Sequence, residues 1–309
     1  MGLSGWQYCA NINIDNTGNS NALSDYQQKV VLDSSNFDFS KAKSDGGDIR
    51  FLDSDDSTPL SYWIENWDSS GQTATVWVKV PSIPASSNYT IYMYFGNASA
   101  TSESNGTSTF EFFDDFETFD STDWEKEGGT LTNVTDPASS GRGQVLKFDG
   151  GGSWYAFRKT TYTFTDGVIE FEFYRAAGNY LQFCFRISAL GSKTLYEYEA
   201  QYDGDLDFQK FVNGPETIDM NVQPAGITDS TWHKGKITAS GSNFTYWVDG
   251  TKWITQTDTD ISSGNLGGRC KTVMYLNDVR VHKYTSPEPT TSVGAIRTVS
   301  NAIFFGCNF

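Results

Sequence analysis

The sequence predicts an all-β protein: a small N-terminal β-sandwich, then a jelly-roll β-sandwich, then an apolar C-terminal strand. Three observations carry this. Short alternating apolar–polar runs recur along the chain between clusters of Asp, Ser, Gly and Asn, the spacing of strands joined by turns. No segment sustains the 3.6-residue apolar period of a helix. Charged residues make up only 19% of the chain and aromatic residues 15%, a balance that suits an extracellular β protein better than a cytosolic enzyme.

The elements follow in order. WQYCANINI (6–14), DYQQKVVLD (25–33), GDIRFLD (47–53), SYWIENW (61–67), TATVWVKVP (73–81) and NYTIYMYFG (88–96) read as six strands, with one helical turn expected within 35–46. Alternation in SYWIENW puts Trp63, Glu65 and Trp67 on one face and Tyr62, Ile64 and Asn66 on the other. In the next strand Ala74, Val76, Val78 and Val80 form the apolar face, opposite Trp77. Three tryptophans this close are either a sugar-stacking platform or domain architecture; these read as architecture.

Residues 97–112 read as a polar, low-complexity linker. A second, longer strand series begins near FFDDFETF (112–119). It runs through GQVLKFDGG (143–151), SWYAFRK (153–159), DGVIEFEFYR (166–175), NYLQFCFRI (179–187), TLYEYEAQYD (194–203) and LDFQKFV (206–212). TWHKGKITAS (231–240), SNFTYWVDGTKW (242–253) and the stretch 271–294 complete it. So many evenly spaced strands indicate a jelly roll. The expected domains are residues 1–111 and 112–294, with a tail at 295–309. In the tail, Ile303, Phe304 and Phe305 are too apolar to stand in water and should dock on this chain or add a strand to a neighbouring copy.

With 38 acidic against 22 basic residues the net charge is −16, which excludes nucleic acid as a partner and disfavours an anionic membrane surface. No apolar run reaches the roughly 18 residues of a membrane span. The opening MGLSGWQYCA carries neither the basic start nor the apolar stretch of a signal peptide, so any leader is expected to be removed already or to lie upstream. Five Asn-x-Ser/Thr sequons, at Asn88, Asn97, Asn105, Asn133 and Asn243, are candidate glycosylation sites. The cysteines are Cys9, Cys184, Cys270 and Cys307; none forms a C-x-x-C pair, which disfavours zinc. Of the three possible pairings we expect Cys184–Cys270 and Cys9–Cys307, the alternative being four free thiols.

Two resemblances enter on specific blocks. DIRF, YWIE, VWVKVP and IYMYFGN, in that order within residues 5–105, resemble domain of unknown function 2341 of archaeal and bacterial surface proteins. FFDDFE, LKFDGG, WHKGKITASGSNFTYWVDG and YLNDVRVHKYTSPEP, within residues 112–290, resemble the concanavalin-A-like lectin and glucanase (LamG-like) jelly roll. The resemblance implies a secreted or cell-surface protein with carbohydrate-binding or structural roles. It supplies no catalytic residue for the first domain. It also implies a structural calcium ion clamped between the start of the jelly roll and its last strand, at Asp114, Asp115 or Glu117 with Asn277 or Asp278. Asn277 stands where the family often has Asp.

Several groups are chemical candidates. Asp203, Asp205 and Asp207 alternate as ligands do in calcium loops, without the glutamate at the twelfth place of an EF-hand. Jelly-roll glucanases carry a Glu-x-Asp-x-x-Glu-type strand. Glu170/Glu172 and Glu197/Glu199 are one-face carboxylate pairs, as glycoside hydrolysis needs, but lack the central Asp, and both are expected on solvated strand faces. His233 and His282 have no Gly-x-Ser-x-Gly companion for a hydrolase triad. For a glycan, Tyr196, Tyr198, Tyr202 and Gln182 are the first candidates. The expected function is non-catalytic adhesion at the cell surface through glycan binding. The alternatives are a surface-layer or filament subunit assembled from copies of itself by strand donation, and a glycoside hydrolase.

Overall fold

A computed structural model describes residues 3–176, 178–222 and 226–299, with residues 218–222 in backbone only. The described residues form two compact units, one of residues 3–110 and 285–299, the other within residues 111–284. Apart from short helical turns, every regular element is a strand, and every named strand pairing is antiparallel.

The first unit begins with β1 (Tyr8–Asp15), β2 (Leu23–Asp33), β3 (Arg50–Leu52), β4 (Pro59–Leu60), β5 (Tyr62–Asp68), β6 (Thr73–Ile83) and β7 (Asn88–Phe95). The six expected strands are all present, and Phe39–Lys41 supplies the single helical turn. β2, β6 and β5 form one sheet; β1, β7, β3 and β4 belong to the other. Ile12 and Ile14 of β1, Val30 of β2, Val76 and Val78 of β6 and Ile91 of β7 meet in one core, as alternation requires.

Alternation breaks in β5. Ile64 pairs with Val76 and Asn66 with Thr75, so Glu65 is a bulge and the strand flips beyond it. Trp67 therefore turns inward, edge-on to Phe37 and Phe39, and leaves the face it was expected to share with Trp63. Trp63 and Trp77 stay outside, with Phe110 edge-on against both, and Trp77 Nε1 donates to Glu65. The tryptophans are architecture. The stretch read as a linker is ordered through Phe110: Asn105 N donates to Tyr62 O, Glu103 pairs with Arg50, and Asn105 caps the turn α1 (Gly106–Thr109).

The second unit contains β8 (Phe112–Asp114), β9 (Trp124–Lys126), β10 (Thr130–Thr135), β11 (Gln144–Asp149), β12 (Tyr155–Lys159), β13 (Gly167–Arg175), β14 (Leu181–Ala189) and β15 (Thr194–Ala200). It continues with β16 (Leu206–Phe211), β17 (Glu216–Val222), β18 (Trp232–Ser240), β19 (Asn243–Val248), β20 (Thr251–Thr257), β21 (Asn265–Cys270) and β22 (Val273–His282). An eight-stranded sheet runs β10-β11-β22-β13-β18-β19-β20 with β8 beside β22. A seven-stranded sheet runs β17-β16-β15-β14-β21-β12-β9. Phe171, Phe173, Phe183, Phe185, Tyr196, Tyr198 and Phe208 fill the core of this jelly-roll sandwich.

β21, NLGGRC, falls between the strands named from the sequence, yet it lies inside the seven-stranded sheet between β14 and β12. Its glycines are there for space. A Cβ on Gly267 would stand 1.9 Å from the Phe157 carbonyl oxygen, and one on Gly268 would meet the Phe157 ring at 2.7 Å.

The jelly roll was expected to end at residue 294, but residues from Thr285 onward group with the first unit. There β23 (Thr290–Val293) and β24 (Arg297–Thr298) pair with β1. Ile303, Phe304, Phe305 and Cys307 lie outside the described residues, and with them the Cys9–Cys307 pairing.

The expected Cys184–Cys270 disulfide is not formed; both thiols are free and buried, and Cys9 is buried as well. Register explains it. Cys184 pairs with Gly267, three residues from Cys270 on the neighbouring strand, and an odd offset puts the two side chains on opposite faces. Cys184 packs outside with Ala156, Leu195 and Phe211, whereas Cys270 packs in the core. Alkylation of unfolded, non-reduced protein should therefore label both Cys184 and Cys270. Gly267→Ala should destabilise the fold by about 3 kcal/mol or more, read as a lowered denaturant midpoint.

Candidate functional site

The outer face of the seven-stranded sheet concentrates the polar chemistry of the second unit. On β15, Tyr196, Tyr198 and Ala200 point into the core, so Glu197 and Glu199 point out. Register then lines up Arg269, Gln182, Glu199 and Asp207 across β21, β14, β15 and β16, with Cys184, Glu197 and Gln209 as the adjacent row. Directly opposed side chains stand about 5 Å apart at Cβ, so these groups touch.

The row is buried, not solvated. Glu197 is 0% exposed, Gln182 1%, Asp207 2% and Glu199 4%, which corrects the expected solvated face. Arg269 donates to Glu197 Oε1 at 2.7 Å, and the Cys184 thiol contacts Glu197 Oε2 at 3.6 Å. Gln182 donates to Glu199 and Gln201 donates to Asp207. Burial pushes Glu197 up to about 6 against the pull of Arg269. Burial, then the charges of Glu197 and Asp207, pushes Glu199 up to about 8. At neutral pH Glu199 therefore holds its proton.

An aromatic ladder covers one end of this row. The Arg269 guanidinium lies 4.8 Å from the Trp154 ring and 4.9 Å from the Phe211 ring, a cation held between two π faces. Trp154 meets Tyr180 edge-on at 5.4 Å, and Tyr180 meets Tyr202 edge-on at 5.4 Å. Trp154 and Tyr180 are half-buried and Tyr202 is 53% exposed.

Of the glycan candidates, Tyr202 stands on the surface. Tyr196 and Tyr198 are core residues at 0% exposure, and Gln182 is buried beneath the ladder; their correction follows from which parity of β15 faces the core. Arg269 and Trp154 carry the site and were not singled out. Arg269 sits on the glycine-bearing strand that falls between those named from the sequence, and Trp154 was one aromatic among many.

The other candidates are held in structural roles. Asp203 Oδ1 accepts from Asp205 N in the turn after β15, while Asp207 belongs to the buried row. Asp114 pairs with Lys159, Asp115 accepts from Glu117 N, and Glu117 accepts from Gln144 N. Asn277 is buried in β22, and Asp278, at φ 46°, occupies an irregularity where β22 meets β13. Among the described residues, no group of three or more His, Cys, Asp or Glu side chains is placed to hold a metal ion.

Glu170 is paired with Arg280, and Glu172 with Arg142, on the outer face of the eight-stranded sheet. His233 lies between Asp249 and the Thr228 carbonyl. Burial pushes His282 down to about 4. Asn88, Asn105 and Asn243 are exposed; Asn97 and Asn133 are half-buried.

A family model described as "Domain of unknown function (DUF2341)" matches residues 45–127. It bears out the resemblance read from the DIRF, YWIE, VWVKVP and IYMYFGN blocks. "Uncharacterized protein 562" of Sulfolobus islandicus rod-shaped virus 1 is 37% identical over 89 residues, which span 28% of this chain and only 16% of that protein. Among solved structures, the chain is similar to the carbohydrate binding module CBM66 from Bacillus subtilis (18% identity, TM-score 0.44, 52% of this chain and 96% of that one). It is similar to a protein of unknown function with galectin-like fold from Bacillus subtilis (12%, TM-score 0.43, 56% and 96%). A third is a putative glycosyl hydrolase from Parabacteroides distasonis (13%, TM-score 0.40, 57% and 95%). At these identities the similarity is one of fold.

The carboxylate row predicts how stability depends on pH. A carboxyl raised in the folded state binds a proton that the unfolded chain has released, so stability falls as pH rises between the two values. For Glu199 that window runs from the ordinary 4.5 to about 8. Denaturant midpoints should fall across it by the equivalent of a few kcal/mol, and Glu199→Gln should flatten the part above pH 6.

Proposed function

We propose that the second unit binds carbohydrate without cleaving it, on the outer face of the seven-stranded sheet, and that the protein serves adhesion at a cell surface. The observation that carries this is the Trp154–Tyr180–Tyr202 ladder, half-open to solvent above a row of amide and carboxyl groups. Aromatic rings offer the apolar faces of pyranose rings a stacking surface. Half-buried Gln201 and Gln209 flank it with groups that donate to and accept from hydroxyls. Arg269 is engaged by Glu197 and two rings, which holds Trp154 in one orientation before any ligand arrives.

Accessibility supports binding without cleavage. Hydrolysis needs two carboxyl groups reaching the scissile bond from either side. Glu197 and Glu199 are 0% and 4% exposed and spend their oxygens on Arg269, Cys184 and Gln182.

A glycan array followed by calorimetry tests the reading. Trp154→Ala should weaken the best neutral oligosaccharide at least about tenfold while leaving the circular dichroism spectrum unchanged. Binding that survives this change would put the site elsewhere. Release of new reducing ends by the wild-type protein, lost in Glu199→Gln, would make it a hydrolase instead.

A further inference from the structure

We propose that Lys159 and Asp114 condense to an intramolecular isopeptide bond that ties the two sheets of the second unit together. Asp114 ends β8, in the eight-stranded sheet, and Lys159 ends β12, in the seven-stranded sheet. Lys159 Nζ lies 3.1 Å from Asp114 Oδ2 and 3.1 Å from Asp123 Oδ2. The amine thus faces one carboxyl as electrophile and a second as proton carrier. Nucleophile, electrophile and base are held within contact distance by three separate segments of one fold, the condition under which a slow bimolecular reaction becomes an intramolecular one.

The surroundings are largely shielded from water. The Lys159 side chain is 11% exposed and that of Asp114 15%, while that of Asp123 reaches solvent at 36%. The Trp124 ring lies 4.9 Å from the ammonium. A void of about 10 Å³ beside it is lined by Phe112, Phe116, Trp124, Phe157 and Leu276. Asp114 Oδ1 accepts from Phe116 N at 3.1 Å, which fixes the carboxyl plane. An ion pair in such a place keeps a desolvation cost that an amide does not.

The step balances without an oxidant or co-reactant. Asp123 passes a proton from the Lys159 ammonium to the Asp114 carboxylate, and the free amine adds to Cγ of the resulting acid. The tetrahedral centre then expels one hydroxyl, which leaves as water with a second proton given up by the nitrogen, and Asp123 ends as it began. One N–C bond forms, one C–O bond breaks, and the ammonium–carboxylate pair becomes one amide and one water. Lys210 offers an internal contrast. It also lies between two aspartates, at 2.5 Å from Asp258 and 2.8 Å from Asp260. Burial of Asp258 is outweighed by hydrogen bonds from Lys210 and Tyr196, and its carboxyl is lowered. That pair stays ionised.

Intact-mass spectrometry of the full, folded, unglycosylated chain is the test. The expected mass is that of the sequence less one water, about 18 Da, with a branched proteolytic peptide joining residues 114 and 159. Lys159→Arg and Asp114→Ala should each show the full mass of their own sequences, and Asp123→Asn should accumulate unlinked chain. A wild-type protein at full sequence mass overturns the proposal with no variant needed. A mass deficit that persists in Lys159→Arg overturns the assignment to these residues.

Discussion

The second unit depends on how closely β21 and β12 approach. Phe157 O lies where a Gly267 side chain would begin, and the Phe157 ring lies against Gly268. Two consecutive glycines let a strand run through the middle of a sheet with no side chains on its crowded stretch. Beyond them the same strand places Arg269 on the outer face and Cys270 in the core. The aromatic ladder, the ion pair with Glu197 and the continuity of the sheet from β14 to β12 all follow from that approach.

Arg269 then decides the electrostatics of the face. Its planar cation fits between Trp154 and Phe211 and still reaches Glu197, a combination that suits guanidinium better than ammonium. One arginine cannot balance three buried carboxyl groups. Glu197 is partly compensated, while Glu199, opposite Asp207 and bonded to the neutral Gln182, is not. The uncompensated group keeps its proton, so the face is less negative than its composition implies. An uncharged ligand is the kind such a face accepts with the smallest electrostatic cost.

The first unit is built on a different economy. Its strands are closed by a returning C-terminal segment, because β23 and β24 both pair with β1. Gln28 and Thr291 add side-chain bonds between β2 and that segment. Strands that follow the second unit in the chain therefore add to the domain that precedes it. β23 and β24 thereby take the place of β1 at that edge of the sheet.

The sequence by itself determined the elements that alternation and turn chemistry define: six of the strands of the first unit, most of those in the second, and the architectural role of Trp63, Trp67 and Trp77. These are local properties, because burial on one face of a strand imposes a period of two wherever it occurs. Alternation also marked Glu197 and Glu199 as sharing one face. It could not say which face is buried by neighbours, so Tyr196 and Tyr198 looked available to a ligand and the carboxylates looked solvated. Only the tertiary structure decided that. It also decided that β21 is a strand, that the Glu65 bulge turns Trp67 inward, that Cys184 and Cys270 point apart, and that residues from Thr285 rejoin the first unit. Each of these depends on register between paired segments, most of them far apart in the chain. Register is set by how whole faces pack together, which no local run of residues records.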